Sequence, residues 1–168
     1  MHIYKRLVSI IVCIPLFYLG ACEVLTKDSY DYLNDVETTD LSNENTETIT
    51  LGTTKENIIK TFGVPTSEEG EGSIINLSYE EEGLQFILEN NKLFEYTLIG
   101  SRHSSGKGIT VGDSKESVIE KYGKEYYLKE EYSNNAQIGY FDKKTKKHIE
   151  FGLENDEVTF IKIVDMSK

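Results

Sequence analysis

The chain has 168 residues, a formal net charge of -11 and two cysteines, Cys13 and Cys22. That charge argues against nucleic acid or an anionic lipid surface as the main partner and favours solubility or a basic partner. Because Cys13 lies in a segment expected to be removed, the folded part must be held by its core and not by an intramolecular disulfide.

Residues 1–21 have a secretory layout, with His2, Lys5 and Arg6 ahead of the apolar run Leu7 to Leu19. About 13 apolar residues rise about 20 Å as a helix, short of the roughly 30 Å hydrocarbon core. The run ends in Leu19-Gly20-Ala21-Cys22, which resembles a bacterial lipobox. The resemblance implies cleavage after Ala21 and a diacylglycerol thioether on Cys22, completed by acyl chains such as palmitate that make a stable anchor. An ordinary secretory signal or an uncleaved anchor is the alternative. Loss of Lys5 and Arg6 with the signal moves the formal charge from -11 to -13. The expected location is the extracytoplasmic face of the cell membrane, and richness in Lys, Asn and Ile points to a Gram-positive cell.

Residues 22–48 read as the acylated cysteine followed by a disordered acidic tether. Asp28, Asp31, Asp35, Glu37, Asp40, Glu44 and Glu47 are interspersed with Asn, Ser and Thr, and the few apolar residues keep no period. Such a composition cannot bury enough apolar surface to offset its ordering entropy.

From residue 49 the sequence echoes itself. Ile49-Thr50-Leu51-Gly52-Thr53-Thr54-Lys55-Glu56 through Gly63 returns sixty residues later as Ile109 through Gly123, with seven of fifteen positions identical. Thr53 with Glu56, and Asp113 with Glu116, have capping-box spacing and predict helix starts. Gly63 and Gly123 predict left-handed stops, with Pro65 beyond the first. Ile58, Ile59 and Phe62 match Val118, Ile119 and Tyr122 on one helical face.

Strands are expected after each helix. In the first copy Ile75, Leu77 and Tyr79 alternate, then Leu84, Phe86 and Leu88, then Phe94, Tyr96 and Leu98. In the second copy the corresponding residues are Ile138 and Tyr140, then Ile149, Phe151 and Leu153, then Thr159, Ile161 and Ile163. Glu80-Glu81-Glu82-Gly83, Asn90-Asn91 and Asn155-Asp156 read as turns. The second copy is longer, mostly through the basic loop 142–147. The predicted fold class is α+β: two tandem units of one helix and a three- or four-stranded antiparallel meander, packed together. They would form one continuous sheet or two small sheets facing a common helical layer. Repeat 1 spans 49–100, a hinge 101–108, and repeat 2 109–168.

This paired pattern resembles the repeats of the beta-lactamase inhibitory protein-like group, which includes small lipoproteins of the SmpA/OmlA type. The resemblance covers about 49–165 and implies protein binding through a sheet face or loops, or help in assembling envelope complexes. The chain lacks the paired cysteines of the inhibitor itself, so no inhibitory residue is carried over.

Catalytic chemistry finds little support in the sequence. His103 beside Ser104 and Ser105 lacks a nucleophile elbow, and His148 reads as an exposed strand residue. No Cys or His cluster has metal spacing, and no cofactor motif is present. The expected function is a lipid-anchored, extracytoplasmic protein-binding or envelope-assembly module without catalytic activity, with a protein partner and no nucleic acid. An inhibitor or immunity-type protein of an exported enzyme, or a receptor for a small molecule or cell-wall fragment, is the alternative. Candidate partner-binding residues are Tyr126, Tyr127 and Tyr132, which lie outside the shared pattern, and the acidic turn Glu80, Glu81 and Glu82.

Overall fold

A computed structural model describes residues 27–44, 49–130 and 134–167. The signal segment with Ala21, the lipidation candidate Cys22, and Tyr132 lie outside the described residues. Among the described residues no helix is long and apolar enough to cross a membrane.

Among the described residues two α-helices form, α1, Lys55–Phe62, and α2, Lys115–Tyr122. Both start one residue beyond the expected cap: Thr54 and Ser114 are the N-caps, and the Ser114 hydroxyl accepts from the Ser117 amide at 3.2 Å. Asp113 instead closes its own turn, accepting from the Thr110 amide at 2.8 Å. Gly63 and Gly123 end the helices at φ +82° and +101° with ψ of -161° and -178°. This is not the left-handed cap that was expected, but it is a region essentially restricted to glycine.

Eight strands follow the helices: β1 Ser67–Glu71, β2 Ile74–Tyr79, β3 Leu84–Glu89 and β4 Lys92–Leu98 after α1, and β5 Tyr127–Glu130, β6 Asn135–Asp142, β7 Lys147–Glu154 and β8 Glu157–Asp165 after α2. They form one antiparallel sheet in the order β1-β2-β3-β4-β8-β7-β6-β5. The fold expected from the sequence, two helix-plus-meander repeats packed together, is corrected by this sheet. The protein is α+β overall, but it is mostly a single eight-stranded sheet carrying two short helices. Strand β4 pairs directly with β8, Glu95 to Leu98 against Val164 to Ile161, so no boundary divides the sheet into two units. An unpaired last strand in each half would leave a row of open backbone groups, and pairing the two removes both edges at once.

The alternation read from the sequence is largely what faces the helices: Leu77, Tyr79, Leu84, Phe86, Leu88, Ile138, Tyr140, Ile149, Phe151 and Leu153 are all buried. In β4 and β8 the pattern is shifted. Leu93 rather than Phe94, and Val158 rather than Thr159, are the buried residues. Both shifts come from register irregularities, between Ile87 and Leu88 in one half and between Gly152 and Leu153 in the other, which place an extra residue in the partner strand. The outer strands were not anticipated as strands: β1 is Ser-Glu-Glu-Gly-Glu, wholly exposed, and β5 begins inside the tyrosine-rich segment.

Two linking segments also differ from expectation. Residues 27–44 are not a free tether. They open with a 3-10 helix, Ser29–Tyr32, and continue along the sheet until Leu41 and Glu44, each 1% exposed, are enclosed. The segment 101–108 is not a free hinge either, because Ser105 is buried and the Gly106 amide donates to Glu44 Oε2 at 2.8 Å.

One sheet with one contiguous core should unfold as a unit. Phe86→Ala in the first half and Phe151→Ala in the second are each expected to cost about 3–5 kcal/mol. In urea followed by circular dichroism and by tyrosine fluorescence, both variants should move a single coincident transition. Two separable transitions would contradict the single-sheet description.

Candidate functional site

Alternation along β5 to β8 turns Tyr127, Gly139, Phe141, His148, Glu150, Lys162 and Val164 away from the helices, onto the opposite face. The register aligns one row across the whole sheet: Ser67, Ser78, Gln85, Thr97, Lys162, Glu150, Gly139 and Tyr127, each opposite the next. In the second half this row is charged and aromatic, and residues 28–39 lie across it as a strap.

Several contacts seat the strap. The Ser29 hydroxyl donates to Glu150 Oε2, and the Tyr127 hydroxyl donates to the same oxygen. Tyr32 stacks on Tyr127 with ring centroids 4.9 Å apart and planes 12° apart, and Tyr30 lies 6.0 Å from the His148 ring. Gly139 makes room for this stack, since a Cβ there would sit 2.4 Å from the Tyr127 ring. The other Glu150 oxygen faces the Lys162 ammonium at 2.7 Å.

The electrostatics follow from burial and pairing. Burial opposes the charge on Glu150, yet hydrogen bonds from Lys162, Ser29 and Tyr127 outweigh it and hold the carboxyl below its ordinary range. Burial likewise opposes the charge on Lys162, and the bond to Glu150 overcomes it, so both members stay ionised. Burial, reinforced by the Glu150 charge, pushes the Tyr127 hydroxyl up and keeps it protonated. Burial also lowers His148 to about 4. Since the one Tyr127 proton goes to Glu150, neutral His148 must carry its own proton on Nε2, which lies 2.8 Å from the Tyr127 oxygen.

The strap then turns around the β6–β7 end of the sheet. Thr39 N–H donates to the Phe141 carbonyl at 2.8 Å and Leu41 N–H to Asp142 Oδ2 at 3.1 Å. Lys143 Nζ donates to the Val36 carbonyl at 2.7 Å, and Lys147 Nζ to the Ser42 carbonyl at 3.2 Å. The basic turn is therefore a clasp that holds the strap by its backbone carbonyls. On the helix side the strap ends at Glu44, whose Oε1 lies 2.7 Å from the Tyr122 hydroxyl, itself 2.8 Å from Ser105 Oγ. Burial raises the Glu44 carboxyl, the Tyr122 and Gly106 hydrogen bonds opposing it only in part.

The candidate residues fall in different places. Tyr127 is 2% exposed beneath the strap with its hydroxyl satisfied internally, so it is not presented to a partner. Tyr126 is half-buried against Tyr140, with centroids 6.1 Å apart. Glu80 and Glu81 are exposed in a 3-10 turn, Glu80–Glu82, while Glu82 faces Arg102 at 3.3 Å and His103 at 3.6 Å. His103 is thus aimed at Glu82, and Ser105 at Tyr122, so the two do not form a nucleophile and base. His148, expected on the surface, is buried. Sequence reasoning missed Ser29, Glu150 and Lys162. The opposite charges of the strap and the 143–147 turn are the signal that could have linked the two segments.

No protein-family model matches the sequence, and no curated protein matches it. Solved structures with some similarity include an extracellular protein containing an SCP domain from Bacillus anthracis str. Ames, at 14% identity and TM-score 0.48 over 68% of this chain and 44% of that one. The chain therefore spans less than half the length of that protein. A DUF4309 family protein, YjgB, from Bacillus subtilis subsp. subtilis str. 168 has 12% identity and TM-score 0.44, over 84% of this chain and 95% of that one. A candidate beta-lactamase inhibitor protein from Streptococcus mutans has 17% identity and TM-score 0.31, over 82% and 96%.

Two titrations test the strap's seat. Asp142 is held at about 2 because the hydrogen bonds from Thr145, Leu41 and Lys144 outweigh the effect of burial. A lowered carboxyl contributes stability above its unfolded value near 3.8, and that contribution fades as pH falls toward 2. Discounted for solvent at the sheet rim, Asp142→Asn should cost about 1 kcal/mol at pH 7 in urea titrations, with the loss shrinking near pH 2. His148 should titrate by NMR near 4 with Nε2 protonated above that. Its lowered value contributes stability that is full above the unfolded value near 6.5 and is lost as pH falls to about 4. An ordinary titration near 6.5 would show the ring is not enclosed.

Proposed function

We propose that the chain is a lipid-anchored, extracytoplasmic protein-binding module without catalytic activity, and that it engages its partner through the uncovered half of the sheet. The observation that carries this is the contrast between the two halves of one face. Where the second half offers Tyr127, Glu150 and Lys162 under a strap, the first half offers Ser67, Gln85 and Thr97 at the matching places in the row. Ser67 and Gln85, with Glu69, Asn76, Ser78 and Ile87, line an open depression that no described segment covers.

Charge supports a protein partner of defined character. The turn at the β6–β7 end is basic, whereas the corresponding β2–β3 turn is Glu80–Glu82. With exposed Glu69 and Glu71 on the same face of the neighbouring edge strand, this half suits a basic segment, and the net charge of -11 favours the same encounter. Anchoring at Cys22 would confine that encounter to the membrane exterior, consistent with a role in assembling envelope complexes. An inhibitor of an exported enzyme is the version of this reading favoured by the exposed carboxylates of Glu80 and Glu81 in a turn closed by Gly83 at φ +66°.

The test is crosslinking in intact membranes with the native chain, Cys22→Ala, and the double substitution Glu80→Lys with Glu81→Lys. Cys22→Ala should release the protein from membranes while leaving purified partner binding intact. The lysine pair should slow association about tenfold or more at low salt and flatten its salt dependence. A partner captured equally by the lysine variant would rule out this surface, and retention of Cys22→Ala in membranes would rule out the anchor.

A further inference from the structure

The strap is separable from the main core. The contiguous apolar cluster on the helix side takes Leu41 from the N-terminal segment and nothing before it, while Tyr127, Phe141 and Val164 are buried outside that cluster, on the opposite face. No apolar side chain from 28 to 39 is fully buried: Tyr30 is 44% exposed, and Tyr32, Leu33 and Val36 are half-buried. What holds the strap is a hydroxyl on a carboxylate, a ring stack, a lysine-to-carbonyl bond and, at its far end, the bonds of Thr38 and Thr39 to Lys143 and Phe141, made across separations of up to 121 residues.

The surface beneath it is built like a binding site. Glu150, 1% exposed, and Lys162 form an ion pair that is costly to bury and that water can rehydrate when the cover lifts. An apolar floor would lose that compensation. We propose that Tyr127, Phe141, His148, Glu150 and Lys162, with Lys143 at the rim, form a recognition site for a segment whose 3-10 turn presents a hydroxyl and a tyrosine three residues apart, and that the chain's own strap fills it as a displaceable ligand. The occupant is residues 28–39 of the same chain, or of a second copy when the attached strap is released. Each anchor of that segment has a counterpart: Tyr32 for Tyr127, Ser29 for Glu150, and the Val36 carbonyl for Lys143. This site lies on the opposite half of the sheet from the proposed partner surface, so either can fail without the other.

Tethering gives the attached strap an effective concentration on the order of millimolar. A free synthetic peptide of residues 27–44 should therefore bind the native chain poorly. Ser29→Ala with Tyr32→Ala weakens the attached strap and leaves the site intact, so this double variant should bind the peptide saturably and at least tenfold more tightly in fluorescence anisotropy. Adding Tyr127→Ala to the double variant should reverse that gain, and a scrambled peptide of the same composition should not bind. Binding to the double variant no tighter than to the native chain, or equal binding of the scrambled peptide, overturns the proposal. Hydrogen exchange on the native chain decides the matter if the double variant does not fold. The Thr39 amide should exchange at least tenfold faster than the β4–β8 amides, and equal rates would mean that the strap opens only with the whole fold.

Discussion

The pairing of β4 with β8 is the constraint on which the rest of the molecule depends. These are the last strands of the two meanders, and both must find a neighbour or leave a hydrogen-bonding edge open at the middle of the protein. By pairing with each other they place Thr97 directly against Lys162 and make the sheet order symmetric about that pair. Both helices then fall on the same side, because the apolar alternation of the inner strands β2 to β4 and β6 to β8 must serve one core. The row from Ser67 to Tyr127 is forced onto the other side by the same alternation. A pairing slip of one residue would turn either Tyr96 and Leu98 or Ile161 and Ile163 out of the core.

Near-equivalent backbones carry unequal faces. Tyr79 and Tyr140 each donate to the carbonyl of the glycine that ends the preceding helix, at 3.0 Å in both cases, so the helix side is nearly the same in the two halves. On the other side the sequences diverge where the strap lies. Glu150 stands at the place of Gln85, Lys162 at that of Thr97, and the turn after β6 is basic where the turn after β2 is acidic. Divergence is concentrated on that face, with Tyr122 in place of Phe62 the exception where the strap ends on the helix side, so the two halves of the opposite face meet different company.

Much of the helix side was legible in the sequence because it rests on period. Ile58, Leu77, Phe86, Val118, Tyr140 and Phe151 recur at helical or strand spacing, and Asn90-Asn91 and Asn155-Asp156 do take the positive φ of a tight hairpin. Strand β1 was illegible because Ser-Glu-Glu-Gly-Glu has no apolar face, and its pairing comes entirely from backbone bonds to β2. The β4 and β8 registers were misread because a bulge cannot be seen from one strand alone. The strap was read as disorder because its anchors, Ser29, Tyr32, Thr38, Leu41 and Glu44, follow no period and find their partners more than sixty residues away. Composition correctly described the segment as polar. What it could not convey was that the complementary groups had been placed on a distant strand pair.

That placement bears on why the cover is polar at all. A strap meant solely to complete a core would be most economically made of leucine and valine, since apolar burial needs no partner geometry. Here it meets a buried ion pair, a neutral histidine and a tyrosine whose protons have one consistent arrangement, Ser29 and Tyr127 donating to Glu150 and His148 donating to Tyr127. Such a network gives less net stabilisation than an apolar patch of the same area, because each charge must first be stripped of water. It does discriminate strongly, since any segment lacking a hydroxyl at the position of Ser29 leaves a buried carboxylate short of a donor. Selectivity for one particular cover, at the expense of tightness, is the property expected of a surface that recognises a segment and can also release it.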